Sequence, residues 1–194
     1  MADPDCPYVS RAGLKLAAGL DAFALSVERL VCADFGSNVG GFVDCLLRRG
    51  AARVYAVDTG YGTLAWTLRK DPRVVVMERT NALRAAAPQP VDLVTIDVAW
   101  TPQRLILPAA ARWLRPGGRI VSLLKPHYEA TAAGRGRRGA AHVLTADQAS
   151  RQCLATCGEL ATAGWTIRAV CPSPVVGAGG NAEFLLWVEP PGRT

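Results

Sequence analysis

The stretch LVCADFGSNVGGFVDCLLRRGAARVYAVD, residues 30–58, decides the fold of this chain. It begins with a short β-rich apolar run at 30–35 and continues through a glycine-containing turn into a helical pattern at 40–50. A second β-rich run follows at 53–58. Two strands that are joined through a helix lie parallel in one sheet, because a tight hairpin can join only antiparallel strands. The stretch therefore predicts a βαβ unit.

The same alternation continues along the rest of the chain. The last two predicted strands are joined by a loop without a helical pattern, so we expect them to form an antiparallel hairpin at the edge of the sheet. We predict one doubly wound α/β domain over residues 1–194, with a seven-stranded, mostly parallel sheet. Strands are predicted at 30–35, 53–58, 73–78, 91–97, 119–125, 166–171 and 182–188, and helices at 11–23, 40–50, 62–70, 104–114 and 145–164.

The composition is that of a globular protein, since half of the 194 residues are hydrophobic and 20% are charged. Charged residues or glycines interrupt the apolar runs well before the roughly 18 residues that a membrane span needs. The start, MADPDCPYVSR, has no apolar signal-peptide core. We expect a cytoplasmic protein without a membrane partner. The six cysteines do not stand at zinc-ligand spacing, so no metal site is predicted.

The formal net charge of +6 favours a polyanionic partner such as RNA. The segment AAGRGRRGAAH, residues 132–142, concentrates Arg135, Arg137 and Arg138 without an acidic neighbour. This arginine segment is either a solvated, mobile loop or a clamp on RNA phosphates that becomes ordered on binding. The sequence leaves both interpretations open.

Charged residues follow several predicted strands at the point where each strand ends. Asp58, Asp97 and Lys125 all stand at such positions, and ligands of open α/β sheets bind outside the carboxyl ends of the strands. Lys125 is unusual, because a core strand leads directly into a lysine, which is rarely buried without a partner. We expect Pro126 to end this strand and to stop any helix there.

The glycine-containing turn after the first strand indicates the kind of ligand. In ADFGSNVGGF, residues 33–42, glycines allow the backbone to approach a ligand closely, but they do not have the G-x-G-x-x-G spacing of dinucleotide binders. Asp34 suits a cationic or hydroxylated ligand, and Asp58 can accept hydrogen bonds from both hydroxyls of a ribose. A cofactor with a ribose and a positive centre, such as S-adenosylmethionine, fits both residues.

Five blocks of the chain stand in the order that one family shows. They are YVSRAGLKL, the stretch from DFGSNVGGF to ERTNA, DLVTIDVAW, LLKPHYEA and SPVVGAGGNAEFLLWV. From Tyr8 to Val188 the chain resembles the TlyA (haemolysin A-like) branch of the FtsJ-like ribose 2′-O-methyltransferases. The resemblance implies a Rossmann-like class I methyltransferase fold with S-adenosylmethionine as cofactor. It also implies methyl transfer to a ribose 2′-hydroxyl of RNA, in this branch ribosomal RNA.

The chemistry of methyl transfer to a hydroxyl suggests a role for each of four residues that the resemblance brings together. Because Lys125 ends a core strand at the ligand-binding edge, we expect it to accept the hydroxyl proton or orient the hydroxyl, and Asp97 to orient Lys125. Lys15 supplies a second positive charge, and Glu183 holds Lys15 or the ribose. The family's catalytic Lys-Asp-Lys-Glu tetrad thus falls on Lys15, Asp97, Lys125 and Glu183, and its cofactor contacts fall on Gly36, Ser37, Asn38, Gly40, Phe42, Asp58, Asn81 and Asp97.

Three features depart from the family pattern. Members of this branch usually carry a small RNA-binding domain before the block at Ser10, and we expect this chain to lack it, because nine residues precede Ser10. Asp97 begins Asp-Val-Ala-Trp where Asp-Val-Ser-Phe is usual, and Lys125 precedes Pro-His-Tyr-Glu where Pro-Gln-Phe-Glu is usual. We expect Trp100 to pack rather than to stack on a base, and the segment after Lys125 to decide substrate choice.

Two other functions remain compatible with the sequence. A small-molecule O-methyltransferase would need no RNA-binding domain, although the arginine segment argues against it. A non-catalytic RNA- or ribosome-binding module would bind RNA without methyl transfer, although the four tetrad residues argue against it. Lys125 could also serve only to neutralise Asp97 in a paired core site.

Overall fold

The computed structural model describes residues 6–132 and 143–192. This part of the chain contains seven strands and six helices, which mostly alternate, and a short 3-10 turn between the last two strands. The strands are β1 (Val31–Phe35), β2 (Arg53–Val57), β3 (Val74–Met77), β4 (Val91–Ile96), β5 (Leu114–Leu124), β6 (Thr166–Pro172) and β7 (Phe184–Glu189). The helices are α1 (Ala12–Ala22), α2 (Gly41–Arg48), α3 (Trp66–Arg69), α4 (Gln103–Ala111), α5 (Pro126–Ala132) and α6 (Ala146–Thr162).

All seven strands form one sheet in the order β3-β2-β1-β4-β5-β7-β6. The first five strands pair in parallel, and β7 pairs antiparallel with both β5 and β6. The predicted α/β fold with a C-terminal antiparallel hairpin is therefore confirmed. The strand order reverses between β1 and β4, so ligands are expected at the carboxyl ends of these two strands.

Helices cover both faces of the sheet and bury one apolar cluster on each side. Leu16 and Leu20 of α1 pack with α2 and α3 against one face. On the other face α4 and α6 pack around Trp113, whose indole meets the Phe35 ring edge-on at 5.1 Å between centroids. Burying an apolar side chain of this size stabilises the fold by roughly 1.5–3 kcal/mol.

Two of the predicted helix and strand limits are wrong for local reasons. The helix predicted at 62–70 shrinks to α3, because Gly62 has φ +74° and its N–H donates to Glu78 at 2.9 Å instead of joining a helix. The strand predicted at 119–125 begins earlier, at Leu114, and an irregularity in its register with β4 accommodates the Pro-Gly-Gly turn. By contrast, Thr145 caps α6 through a capping box, as its position predicted.

The expectation that Pro126 stops any helix is also wrong, since Pro126 begins α5. The first position of a helix needs no N–H donor, and the fixed φ of proline suits it. The carbonyl of Lys125 accepts hydrogen bonds from the N–H groups of Tyr128 (3.0 Å) and Glu129 (3.3 Å). The segment after Lys125 is thus helical, and Lys125 lies at the junction of β5 and α5.

Within residues 6–132 and 143–192, no helix has the length and apolar character required to span a lipid bilayer.

Candidate active site

Residues that the sequence assigned to the site follow four neighbouring strands, at the carboxyl ends of those strands. Gly36 follows β1, Asp58 follows β2, Asp97 follows β4 and Lys125 follows β5. The N–H of Asp97 donates to the carbonyl of Phe35 at 2.9 Å, which continues the ladder between β1 and β4 up to this edge. Because the strands are parallel, their carboxyl ends coincide. The residues that the sequence placed at strand ends therefore lie together.

Close backbone approach explains two of the glycines in the turn after β1. Gly36 has φ +86°, and a Cβ atom there would lie 2.5 Å from the carbonyl oxygen of Asp97. Gly40 has φ +104°, and a Cβ atom there would lie 2.3 Å from a methyl group of Leu68. Side chains do not tolerate either environment. Gly36 thus borders the space above the strand ends, whereas Gly40 packs behind it and supports the turn.

A cavity of about 320 Å³ opens above β1, β2 and β4. Asp58 lines it and is held by two backbone N–H groups, those of Asn38 (2.8 Å) and Gly60 (2.7 Å), one on each carboxylate oxygen. Each oxygen keeps a second acceptor site, so Asp58 can still bind a pair of hydroxyls. The lining consists of Gly36, Asn38, Val57, Asp58, Thr59, Thr80, Asn81, Ala82, Leu83, Asp97, Val98, Ala99, Trp100, Thr101 and Ile106.

A second, smaller cavity of about 90 Å³ shares Gly36, Asn38 and Asp97 with the first. Its far wall comes from the segment before α1, which the sequence did not assign to the cofactor site. The N–H of Val9 donates to Asp44 at 2.9 Å and ties this segment to α2. The lining consists of Ser10, Ala12, Asp34, Gly36, Ser37, Asn38, Val39, Gly41, Phe42 and Asp97.

Asp34 is the most deeply buried carboxyl group at this edge, with 1% of its surface exposed. The hydroxyl of Thr95 donates to its Oδ1 at 2.7 Å, while its buried Oδ2 has no hydrogen-bond partner among the described residues. Burial raises the pKa of Asp34 to about 8; the Thr95 hydrogen bond opposes this, and the charges of Asp97 and Asp58 add to it. Burial and the unpartnered Oδ2 therefore both favour the neutral form of Asp34.

Lys125 forms an ion pair with Asp97. Its Nζ lies 2.6 Å from Asp97 Oδ1 and also donates to the carbonyl of Val98 at 3.2 Å. The two side chains are only 15% and 18% exposed, so water screens the pair weakly. Asp97 in turn lines both cavities. Lys125 is thus fixed beside the space in which a ligand would bind.

Lys15 and Glu183 form a second, more deeply buried ion pair. Lys15 Nζ of α1 lies 2.5 Å from Glu183 Oε2, and the side chains are 11% and 4% exposed. Leu124 of β5 stands opposite Phe184 of the antiparallel strand β7. The next residues beyond this pair, Lys125 and Glu183, are therefore neighbours across the two strands. The register of β5 and β7 brings the two ion pairs together.

Known proteins resemble this chain over nearly its whole length. The family profile described as FtsJ-like methyltransferase matches residues 8–189. The chain belongs to the FtsJ-like methyltransferase family. Its relatives include the 16S/23S rRNA (cytidine-2′-O)-methyltransferase TlyA of Mycobacterium tuberculosis, which is 42% identical over 96% of this chain and 70% of the relative. Hemolysin A of Brachyspira hyodysenteriae is 35% identical over 92% of this chain and 75% of that protein.

Solved structures support the same family and fold. A protein of Lactococcus lactis that was solved under a hemolysin label is 36% identical, has a TM-score of 0.84, and is matched over 93% of this chain and 88% of its own. Fibrillarin of Aeropyrum pernix, solved with bound S-adenosyl-L-methionine, has a TM-score of 0.59 at 17% identity, covering 92% of this chain and 74% of its own. At that identity the second likeness concerns the fold alone.

Next to Lys125, this FtsJ-like chain carries a stack of three aromatic rings. Trp100 and Tyr128 lie 4.7 Å apart between ring centroids, and Tyr128 and His127 lie 4.0 Å apart. Trp100 is 79% exposed, has φ +64°, and lines the larger cavity. The expectation that Trp100 packs into the protein is therefore wrong. Burial and the charge of Lys125 lower the pKa of His127, so its ring is neutral at pH 7.

The structure thus places most predicted site residues around the two cavities. Asn38, Asp58 and Asn81 line the larger one, and Ser37 and Phe42 line the smaller one. The predicted arginine segment, with Arg135, Arg137 and Arg138, lies outside the described residues. In the described part of the chain, no three His, Cys, Asp or Glu side chains are grouped so that they could hold a metal ion.

Proposed function

We propose that this protein is an S-adenosylmethionine-dependent methyltransferase that modifies a ribose 2′-hydroxyl of ribosomal RNA. The observation that carries the proposal is that two lysine–carboxylate pairs, Lys125–Asp97 and Lys15–Glu183, stand at neighbouring strand ends, with Asp97 lining both cavities. The TlyA relative, named for methyl transfer to cytidine 2′-oxygen in rRNA, supports the choice of substrate. A ribosomal RNA substrate also agrees with the cytoplasmic location that we expect from the sequence.

The residues around the cavities fit S-adenosylmethionine. Asp58 would accept hydrogen bonds from the ribose hydroxyls, and Gly36, which lines both cavities, would present its backbone to the cofactor. Asp34 and Asp97 line the smaller cavity, and Asp34 Oδ2 has no hydrogen-bond partner among the described residues, so a positive group is favoured there. When bound, the cofactor supplies a methyl group that is activated by a sulfonium.

The protein must align the acceptor oxygen with this methyl group, and correct positioning alone can contribute roughly 7–11 kcal/mol. Lys125 is suited to the task because Asp97 and the Val98 carbonyl hold its ammonium group at two points. Its third N–H can reach a substrate hydroxyl, so Lys125 either orients the oxygen or takes up its proton. Lys15 supplies a second positive charge, and Glu183, the neighbour of Lys125 across β5 and β7, holds Lys15.

The exposed aromatic stack is suited to the RNA side of the reaction. Single-stranded RNA is recognised by stacking unstacked bases on aromatic side chains, and each such contact contributes roughly 1–3 kcal/mol. Trp100 offers an open indole face at the rim of the larger cavity, and Tyr128 supports it from behind. We therefore assign Trp100 to holding the target base. The arginine segment, with Arg135, Arg137 and Arg138, would bind RNA phosphates.

The experiment is to incubate the protein with methyl-labelled S-adenosylmethionine and, in parallel, total RNA, intact ribosomal subunits or a metabolite extract. We expect label on ribosomal RNA, in a nucleoside that resists alkaline cleavage because its 2′-oxygen is methylated. Label on a metabolite alone would identify a small-molecule O-methyltransferase. RNA binding without any transfer would identify a binding module. Either of these two results would refute the proposed function.

A further inference from the structure

Three carboxyl groups line the two cavities, and their surroundings differ. Asp97 has the ammonium of Lys125 as a partner, and Asp58 accepts two backbone N–H groups. Asp34 receives one hydroxyl hydrogen bond on Oδ1, and its buried Oδ2 has no partner in the described part of the chain. Among these three groups, Asp34 is the one whose negative charge would be uncompensated.

We propose that Asp34 is a neutral acid in the ligand-free protein and ionises when the positively charged methionyl end of the cofactor enters the smaller cavity, so that cofactor binding releases a proton. This inference rests on the proposed function only as far as the cofactor is concerned. The proton leaves from the carboxyl group to the solvent, and the cofactor's positive charge replaces it as the partner of Asp34. The smaller cavity would therefore bind positively charged ligands in preference to neutral ones.

Burial and neighbouring charge both favour the neutral form in the ligand-free protein. A buried carboxylate without partners is far less stable than in water, so the group keeps its proton instead. Asp97 and Asp58 on the neighbouring strands act in the same direction, and burial raises the pKa of Asp34 to about 8. A non-titrating positive charge nearby reverses this balance, because it stabilises the carboxylate.

Other charged groups around Asp34 are already engaged. The lysines proposed for this site belong to the two ion pairs, and the acid Asp44 on α2 is also paired. Lys125 is paired with Asp97, Lys15 with Glu183, and Asp44 with Arg48. On β1 itself, burial and the charges of Asp92 and Asp34 raise the pKa of the Cys32 thiol, so this thiol stays neutral. An added positive charge in the smaller cavity is therefore the change that would ionise Asp34.

The test is isothermal titration calorimetry of the full chain with S-adenosylmethionine at pH 7, in buffers that differ in ionisation enthalpy. The slope of the observed heat against buffer enthalpy gives the number of protons released. We expect the wild type to release close to one proton more than Asp34→Asn on binding the cofactor. Asparagine keeps the shape of the neutral acid but cannot release a proton. Protons from the cofactor's own amino group appear in both proteins and cancel in the difference.

A matched control is Asp92→Asn, which removes a carboxylate at the opposite end of β4, where Asp92 accepts the Val31 N–H at 2.7 Å. This variant should release as many protons as the wild type. Adenosine, which has no positively charged methionyl end, should bind without proton release. Equal proton release by wild type and Asp34→Asn, or equal release with adenosine, would overturn the proposal.

A second measurement needs no variant. The wild-type affinity for S-adenosylmethionine should rise with pH between 6 and 8, by up to about tenfold per pH unit, because less of Asp34 has to lose its proton on binding. A flat affinity over this range would contradict the proposal even if Asp34→Asn failed to fold. No RNA is present in either experiment. Both results would therefore still test the proposal about Asp34 if the protein did not methylate RNA.

Discussion

At the scale of single residues, the site depends on how each charged group is compensated. Lys125 is paired with Asp97 and Lys15 with Glu183, whereas Asp34 is buried without a charged partner among the residues that the structure describes. A paired group holds its position and its charge. An unpaired buried group is the one whose charge changes when a ligand arrives. Substitutions of these side chains should therefore have different effects on activity, ligand binding and stability.

Replacing Lys125 by alanine should lower methyl transfer to RNA by about 100-fold or more, because a group that orients or deprotonates the acceptor typically contributes 10²–10⁴-fold. Affinity for S-adenosylmethionine should stay within about threefold, since Asp58 and the glycine turn remain. Lys125→Arg should also be defective, because arginine does not deprotonate and its planar group differs in shape. The exposed Lys70→Ala serves as control. Near-normal transfer by Lys125→Ala would exclude the assigned role.

Replacing Trp100 by alanine should raise the KM for RNA about tenfold or more, through loss of base stacking. The affinity for S-adenosylmethionine should change little, and Trp100→Phe should keep most of the activity. Trp66→Ala is the matched control, because Trp66 is also exposed but lies on α3, where Lys70 covers its ring. If Trp100→Ala and Trp66→Ala had the same KM, Trp100 would have no part in substrate binding.

Asp34 should also make the free energy of unfolding depend on pH. Its pKa is raised in the folded protein, so its stabilising contribution is complete below about pH 3.8 and is lost as pH rises towards 8. In that window the wild type should lose up to about 1.4 kcal/mol per pH unit relative to Asp34→Asn. Urea unfolding of both proteins from pH 5 to 8.5 measures the difference. Parallel curves would show that Asp34 is ionised in the folded state.

At the scale of secondary-structure elements, α5 links the aromatic stack to the sheet. Pro126 starts the helix directly after Lys125, and Glu129, 8% exposed, accepts the N–H of Gln103 at 2.8 Å. Gln103 is the first residue of α4, so a carboxylate of α5 caps the N-terminus of another helix. Gln103 also accepts the hydroxyl hydrogen of Ser122 in β5 at 2.8 Å. Three elements are thereby joined below Tyr128.

Glu129→Ala should lower the free energy of unfolding by about 1–3 kcal/mol, because the buried N–H of Gln103 loses its acceptor. Glu129→Gln should recover a large part of that loss, since the amide oxygen can still accept this hydrogen bond. Chemical denaturation of both variants measures the effect, with the exposed Glu28→Ala as control. A Glu129→Ala variant as stable as Glu28→Ala would show that the capping contact does not contribute.

At the scale of the whole molecule, the Lys15–Glu183 pair connects residues 168 positions apart in the sequence. It fastens α1, near the start of the chain, to the beginning of β7, close to its end. Removing one partner of a buried ion pair leaves an uncompensated charge, whereas replacing both by apolar groups does not. The contribution of this pair to stability can therefore be measured separately from its proposed role in methyl transfer.

Lys15→Met alone should destabilise the protein by about 3–5 kcal/mol, because it leaves Glu183 buried and charged. The double variant Lys15→Met with Glu183→Met should regain most of this stability in denaturant unfolding. It should nevertheless stay at least about 100-fold impaired in methyl transfer, because the second positive charge is gone. Recovery of activity along with stability would show that the pair is structural.

Local sequence patterns predicted the parts of the fold that depend on neighbours in the chain. The run from Val31 to Val57 alternates apolar and turn-forming residues at strand and helix spacing, and Thr145 caps α6 where its residue type predicts. Parallel pairing then follows from the helical crossovers. The meeting of Asp58, Asp97 and Lys125 could be expected for the same reason, since carboxyl ends of parallel strands share one edge.

Long-range packing decided the features that local patterns miss. β7 inserts between β5 and β6, and this register alone sets Glu183 opposite Lys125. Pro126 is compatible with either a strand end or a helix start, and the carbonyl of Lys125 settles the choice by accepting two N–H groups. The unpartnered oxygen of Asp34 likewise arises from burial by distant segments. The sequence by itself determines which chemical groups stand at the strand ends. The tertiary structure determines which of these groups are paired, buried or exposed, because those properties depend on atoms that are far apart in the chain.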